Sequence, residues 1–419
     1  MVDDALARTG RAQRRVRLLP ARVVVYLLLA AALFAELGYS QVWARLTAGL
    51  SDLGVATPSA SALRQARARL GPAPLRALFD LLRGPAPTIA TAQVCWRGRL
   101  LCAIDGTTMS VPDSAANLVR YVRQRGPHGG SGYPMMRLTA LVACGTRSVI
   151  DAVFDPITTG EIAHAHRLAR SLRAGMLLLA DRNFAAADLV RALASRGADL
   201  LIRVKTSRRL PVLARCRDGS YLSVLGGVPV RVLDAQISIA TSTEGRTGTY
   251  RLVTTLLDSH RWPAAELLTL YHQRWEIETT YLELKSSILG GRVLRARTPE
   301  GIAQEVYALL ITYQVLRTAM ADATDSRPGT DPDRASFTTA LHAARDQVIH
   351  AAGVITGTTV DLVGSIGRHV LANLMPDRRV RTKARAVKRA YSKYQARGPH
   401  IDRTSYKATL SIAILTADP

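Results

Sequence analysis

The sequence predicts a mixed α/β protein. It has a strand-and-helix core carrying a β-rich insertion, a small helical domain before it and a helical region after it. Three observations lead there. Apolar runs of strand length recur between residues 96 and 205 and alternate with helical periodicity. Short β-rich runs with Gly and Ser at their turns fill residues 206–258. Helical spacing dominates on either side. With 419 residues, 48% of them hydrophobic, the chain is too long for one compact unit, and two or three domains are expected.

The first helical segment starts near Leu18, and Pro20 suits its first turn. Residues 1–17 before it read as a polar, basic tail. Gly38 and Ser40 mark a break, and Gln41 to Leu50 form a second helix. Ser59 or Ser61 caps a third, which carries Arg64, Arg67 and Arg69 at helical spacing. That row is either a DNA-contacting face or an ordinary solvated one. Gly71 and Pro72 end it, and Leu75 to Leu82 make a fourth helix. Residues 18–95 are thus a helical N-terminal DNA-binding domain, closed by a Pro-rich linker from Gly84 to Thr91.

The core follows. Arg99–Ile104, Met136–Cys144 and Ser148–Phe154 are strand-like. A helix at Ile162–Leu172, a strand at Met176–Ala180, a helix at Ala185–Ser195 and a strand at Asp199–Val204 complete the order β-β-β-α-β-α-β. That is the order of a ribonuclease-H-like catalytic core, in which antiparallel strands lead into βαβ units. The core takes residues 96–205 and 259–295. The insertion, 206–258, has strands at Tyr221–Leu225, Val228–Val232, Ala235–Ile239 and Tyr250–Leu256. The last core helix runs from about Ala264 to Leu289 and stops at Gly290-Gly291. Residues 296–419 are a helical, basic C-terminal region. Its stretch from Arg378 to Arg403 interleaves Tyr391 and Tyr394 with dense positive charge, as a phosphate-binding tail does.

Charge narrows the function. Lys and Arg number 56 against 32 Asp and Glu, a net charge of +24. An Arg-rich composition accounts for Arg in place of Lys, but not for an excess of that size. It implies a polyanionic partner, since phosphate contacts release counterions. The four cysteines Cys95, Cys102, Cys144 and Cys216 form no CxxC pair, so neither a zinc site nor a disulfide framework is expected. The apolar run Val23–Ala35 is shorter than the roughly 20 residues a membrane span needs, and no membrane association is expected. A cytoplasmic, nucleoid-associated protein fits.

Two aspartates end apolar strands: Asp105 in Ile104-Asp105-Gly106-Thr107 and Asp181 in Ala180-Asp181-Arg182-Asn183. A carboxylate there is held rigidly beside a cleft, although strand-ending Asp residues are common as turn initiators. The last core helix adds the third group. With Tyr271 at zero and 100° per residue, Arg274 falls at about 300°, Glu278 at about 340° and Lys285 at about 320°. Leu270, Ile277, Leu284 and Ile288 form an adjacent apolar stripe at about 220–280°. Glu276 and Glu283 fall on the far side and are expected to face solvent. Asp105, Asp181 and Glu278 are therefore the candidate catalytic and metal-binding residues. Oxygen ligands of this kind suit hard divalent cations. Two Mg²⁺ ions, with Mn²⁺ as a substitute, would drive in-line displacement at phosphorus. Tyr271, Arg274, Lys285 and Arg182 are the candidate DNA-binding residues.

The sequence here resembles the DDE transposases of the insertion-sequence-four family of bacterial mobile elements. Their YREK signature, Y-x2-R-x3-E-x6-K, is met by Tyr271, Arg274, Glu278 and Lys285. Asp105-Gly106-Thr107 is similar to the family's first carboxylate motif. Asp181-Arg182-Asn183-Phe184 is similar to its second, with Asn183 in place of Gly. Leu19-Pro20-Ala21-Arg22-Val23 and the run from Ala62 to Arg67 are similar to its N-terminal domain. The resemblance spans roughly residues 18–320. It implies a DNA transposase that cuts at terminal inverted repeats, in some relatives through a hairpin, and joins the 3′ ends to target DNA. It also implies double-stranded DNA as partner and a homodimer in the synaptic complex. In relatives a Trp takes up a flipped base, and Trp262 and Trp275 are the candidates. The alternatives are a catalytically inactive, transposase-derived DNA-binding protein and another ribonuclease-H-like nuclease such as a junction resolvase.

Overall fold

The computed structural model describes residues 1–13, 18–48, 50, 54–85, 95–126, 129–240, 245–351, 361–376, 381–383, 405–407 and 409–415. Most of the Pro-rich linker and nearly all of the basic stretch at 378–403 lie outside the described residues.

The N-terminal unit is helical: α1 (Val2–Arg8), α2 (Ala21–Leu33), α3 (Tyr39–Leu46), α4 (Ala60–Leu70) and α5 (Ala73–Leu82). The tail expected at 1–17 is in part structured. Ala5 and Leu6 are buried, so α1 is held by an apolar face too short to register as a period. The run at 23–35 is the buried helix α2, and among the described residues no helix is long and apolar enough to cross a membrane. Ser59 caps α4 by accepting from the Ala62 N–H at 3.2 Å. Ser59→Ala is expected to lower stability by about 1 kcal/mol, read by urea unfolding. The basic row on α4 divides. Arg64 and Arg69 are exposed, whereas Arg67 stacks 3.8 Å from the centre of the Tyr39 ring.

Among the described residues one sheet of 11 strands organises the rest. Ten of them are β1 (Leu100–Ser110), β2 (Arg123–Gly126), β3 (Gly129–Ala143), β4 (Val149–Pro156), β5 (Met176–Ala180), β6 (Asp199–Val204), β7 (Ala214–Arg215), β8 (Tyr221–Leu225), β9 (Val228–Ala240) and β10 (Gly245–Thr254), and the eleventh comes from the C-terminal region. The order is β2-β3-β1-β5-β6-β10-β9-β8-β7, with β4 against β3. Antiparallel β1, β3 and β4 lead into parallel β1-β5-β6, the ribonuclease-H-like arrangement the strand order predicts. Helix α6 (Ala115–Arg120) and β2, between β1 and β3, were not expected from the sequence. The crossovers carry α7 (Glu161–Leu168) and α8 (Ala187–Ala194).

One expectation changes here. The runs Val228–Val232 and Ala235–Ile239 are one strand, β9. In the β-rich segment β10 pairs with β6 and carries the core sheet onward. Backbone hydrogen bonding at an open sheet edge favours that continuation. The C-terminal region holds α11 (Pro299–Asp325), α12 (Phe337–Ala351) and α13 (Leu362–Ala372). It is not wholly helical. A strand pair, β11 (Arg381–Lys383) with β12 (Ser405–Lys407), precedes β13 (Thr409–Ile414), which returns to pair with β9.

Both faces of the sheet are covered, and strand alternation sorts the residues. Leu101, Ala103, Leu177 and Leu179 join the core shared with α2, α5 and α11. Cys102, Ile104, Leu178 and Ala180 join the core beneath α7 and α8. Helix α11 binds the N-terminal unit directly, since the Gln304 amide donates to the Arg67 and Gly71 carbonyls at 2.8 and 2.9 Å. Arg295 donates to the Ala31 and Leu37 carbonyls at the end of α2 at 2.7 and 2.9 Å.

Candidate active site

Sheet alternation aims both aspartates at one face. β1 and β5 run parallel, with Ala103 opposite Leu179 and Ile104 opposite Ala180 as the last rung. Asp105 and Asp181 stand one step beyond it, in phase with Leu101, Ala103, Leu177 and Leu179. Asp181 directly follows β5, and its carboxylate accepts from the Arg182 N–H. Asp105 differs from the strand-ending position expected of it. It lies inside β1, which continues to Ser110 because β3 pairs it as far as Met135.

The covering element on that face is one helical run of changing pitch. It consists of α9 (Ala264–Leu270), a 3₁₀ turn at Tyr271–Trp275, α10 (Glu276–Leu282) and a π-helical turn at Glu283–Ile288. Gly290 and Gly291, at φ 62 and 67, end it. Ile277, Leu284 and Ile288 are buried, as the apolar stripe requires.

Arg274 draws two of the carboxylates together. Its guanidinium lies 3.4 Å from Asp105 and 3.3 Å from Glu278, through separate nitrogens. Its Nε is buried and makes no hydrogen bond. Tyr271 donates its hydroxyl to the Ala180 carbonyl at 3.1 Å, just before Asp181. Lys285 Nζ reaches the Thr107 hydroxyl at 3.0 Å, two residues after Asp105. Each signature residue therefore meets an aspartate-bearing strand or another signature residue. Arg182 is exposed beside Asp181.

Burial raises the Asp105 pKa to about 6, opposed by the Gly106 N–H bond and by Arg274, and reinforced by the charges of Glu161 and Glu278. Glu161, at the start of α7, is a fourth carboxylate at the rim. A methyl group on Gly106 would stand 2.6 Å from Glu161 Oε1, so a larger residue there would push the Glu161 side chain aside. The donors fit a hard divalent cation, all being carboxylate oxygens. In this arrangement a guanidinium supplies the positive charge between Asp105 and Glu278. Among the described residues no three His, Cys, Asp or Glu side chains are grouped closely enough to hold a metal ion.

Glu276 and Glu283 do not face solvent. They are 6% and 7% exposed. The turn between β3 and β4 brings Arg147 Nε to 2.5 Å from Glu276, and α11 brings Arg317 and Tyr313 onto Glu283. A second helical layer behind the site helix closes the side that a helical wheel leaves open. The tryptophans separate too. Trp262 is buried against Trp96 and Arg99 at the far end of β1, while Trp275 is 51% exposed beside Arg274. Tyr281 was passed over in the sequence because it is outside the YREK spacing, yet its hydroxyl lies 2.5 Å from the Asp105 carbonyl oxygen.

The chain is similar to known transposases. A family model described as "Insertion element 4 transposase N-terminal" matches residues 1–80, and one described as "Transposase DDE domain" matches residues 96–315. "Transposase InsG for insertion sequence element IS4" of Escherichia coli (strain K12) is 26% identical over 404 residues, 94% of this chain and 91% of that protein. "Putative transposase InsZ" of the same organism is 29% identical over 149 residues, 35% of this chain and 50% of that protein. A piggyBac transposase synaptic complex with hairpin DNA, solved by cryo-EM, overlays at a TM-score of 0.42 with 10% identity, covering 90% of this chain and 82% of that one. DDE transposase domains are in general dependent on divalent metal. The DDE domain model spans more than half of the chain, and the protein belongs to the DDE transposase family.

Proposed function

We propose that this DNA transposase cuts at the terminal inverted repeats of its element and joins the freed 3′ ends to target DNA, with Asp105, Asp181 and Glu278 as its metal ligands. The observation that supports this most directly is the shared face. Two aspartates stand one rung past a parallel strand pair, under the helix that presents Glu278. When bound there, two Mg²⁺ or Mn²⁺ ions would activate the attacking oxygen and stabilise the leaving 3′ oxygen.

The side chains have separable tasks. Asp105 is central, with Asp181 and Glu278 on either side. Lys285 provides positive charge for the phosphates beside the cut, while Arg274, as buried as Tyr271, holds Asp105 and Glu278 together. Tyr271 is buried, so it orients the strand end more than it grips DNA. Arg182 and Trp275 are exposed for DNA, with Trp275 the better placed tryptophan to take up an unpaired base. A homodimer would bring two element ends together.

The proton affinity of Asp105 sets a pH dependence. A divalent cation binds the ionised carboxylate, and the pKa is about 6. The half-saturating Mg²⁺ concentration for cleavage is therefore expected to be flat above pH 7. Below pH 6 it should rise by up to about tenfold per unit. A flat Mg²⁺ requirement down to pH 5 would contradict it. The stability effect has the opposite sense. A carboxyl pKa raised in the fold makes the metal-free protein gain stability as pH falls through 6 toward the unfolded value.

A further inference from the structure

Tyr281 belongs to none of the signature positions, yet it meets the sheet at Asp105. The β1–β3 register makes Asp105 and Ala140 direct partners. The Ala140 N–H donates to the Tyr281 hydroxyl at 3.0 Å, and that hydroxyl donates to the Asp105 carbonyl at 2.5 Å. One buried oxygen therefore bridges the two strands at the residue that carries the carboxylate. Its ring comes from α10, three residues after Glu278. The same contact ties the peptide of Asp105 to the helix of Glu278. Tyr271 makes a similar tie at β5, through the Ala180 carbonyl.

We propose that Tyr281 is a positioning residue whose hydroxyl, wedged between β1 and β3, sets the placement of the Asp105 carboxylate against Glu278 and so the affinity of the pair for a divalent cation. This rests on the reading of Asp105 and Glu278 as metal ligands. Removing the oxygen alone takes these two bonds away and leaves the register of β1 and β3 in place, so the fold persists while the carboxylate shifts. Groups that orient metal ligands typically contribute about 10- to 100-fold in metal affinity.

The test uses the full chain, with Mn²⁺ binding followed by electron paramagnetic resonance and Mg²⁺-dependent cleavage followed on element-end DNA. Tyr281→Phe is expected to raise the Mn²⁺ dissociation constant and the half-saturating Mg²⁺ concentration together, by about tenfold. Its melting temperature and its affinity for end DNA without metal should stay near wild type. Tyr313→Phe, which removes a buried hydroxyl bonded to Glu283 and the Arg147 carbonyl, should melt earlier without moving Mn²⁺ affinity. 4-Aminophenylalanine at 281 keeps a donor to Asp105 and should restore binding to within about threefold. That arm decides alone should Tyr281→Phe fail to fold. Wild-type Mn²⁺ affinity in Tyr281→Phe, or no restoration by the amine, overturns the proposal. Asp105→Ala separates the two readings. If it keeps Mn²⁺ affinity, the metal-ligand reading fails and the wedge with it. If it loses Mn²⁺ while Tyr281→Phe binds normally, the wedge alone fails.

Discussion

Asp181→Ala is expected to abolish Mg²⁺-dependent cleavage of element ends, by roughly 10³-fold or more, while leaving the protein folded. Loss of one carboxylate from a two-metal site removes several kcal/mol of transition-state stabilisation, and about 4 kcal/mol corresponds to that factor. The fold should not suffer. Asp181 is only partly buried, and its hydrogen bond is to the adjacent Arg182 N–H. Removal exposes that N–H to water and opens no cavity. Glu278→Gln should behave alike, because Glu278 is 45% exposed at its side chain and its Arg274 contact is a loose 3.3 Å. The measurement is strand cleavage at fixed Mg²⁺, with circular dichroism and end-DNA binding as checks on the fold. Full cleavage by Asp181→Ala would remove the assignment. It would also favour the readings in which the carboxylates are structural.

Arg147→Met is expected to destabilise the protein by about 3–5 kcal/mol without touching the site carboxylates. Arg147 is 2% exposed and bonds Glu276 at 2.5 Å and Asp333 at 2.6 Å, with Glu283 at 3.9 Å. Its loss leaves Glu276 buried without that charge, and breaking a buried pair costs far more than an exposed pair contributes. Urea unfolding measures the loss. Pairing Arg147→Met with Glu276→Leu should recover a large part of it, since both charges leave the interior together. Equal stability of Arg147→Met and wild type would mean that the network contributes nothing. For the same reason Glu276→Ala acts through the fold. It should lower stability, and activity should return at reduced temperature.

Much of the site is legible in the chain. The Asp-Gly-Thr and Asp-Arg-Asn-Phe contexts, with the YREK spacing, mark three carboxylates and four partners before any fold is known. The face of Glu278 follows from helical spacing, because its neighbours Ile277, Leu284 and Ile288 bury as the stripe requires. β5 and β6 match their expected bounds residue for residue, and β5, buried along its whole length, has no polar position to blur its ends. Other features resist. Glu276 and Glu283 read as solvent-facing, and β9 reads as two strands around Leu233-Asp234, where Asp234 pairs with Arg251 across the sheet. Short-range patterns carry no information about a partner far along the chain.

Motif order and periodicity, with the family resemblance the motifs carry, thus give the class of enzyme, the ribonuclease-H-like order of elements and a candidate acidic triad. Tertiary structure decides the rest. Parallel register and alternation put Asp105 and Asp181 on one face. Helix α11 and the β3–β4 turn make the outer side of the site helix an interior, so Glu283 and Glu276 become structural. Tyr281 bridges two strands that only the β1–β3 pairing brings together. Each of these depends on groups distant in sequence meeting within a few ångströms. Periodicity and propensity act over a few residues, so they cannot encode such meetings.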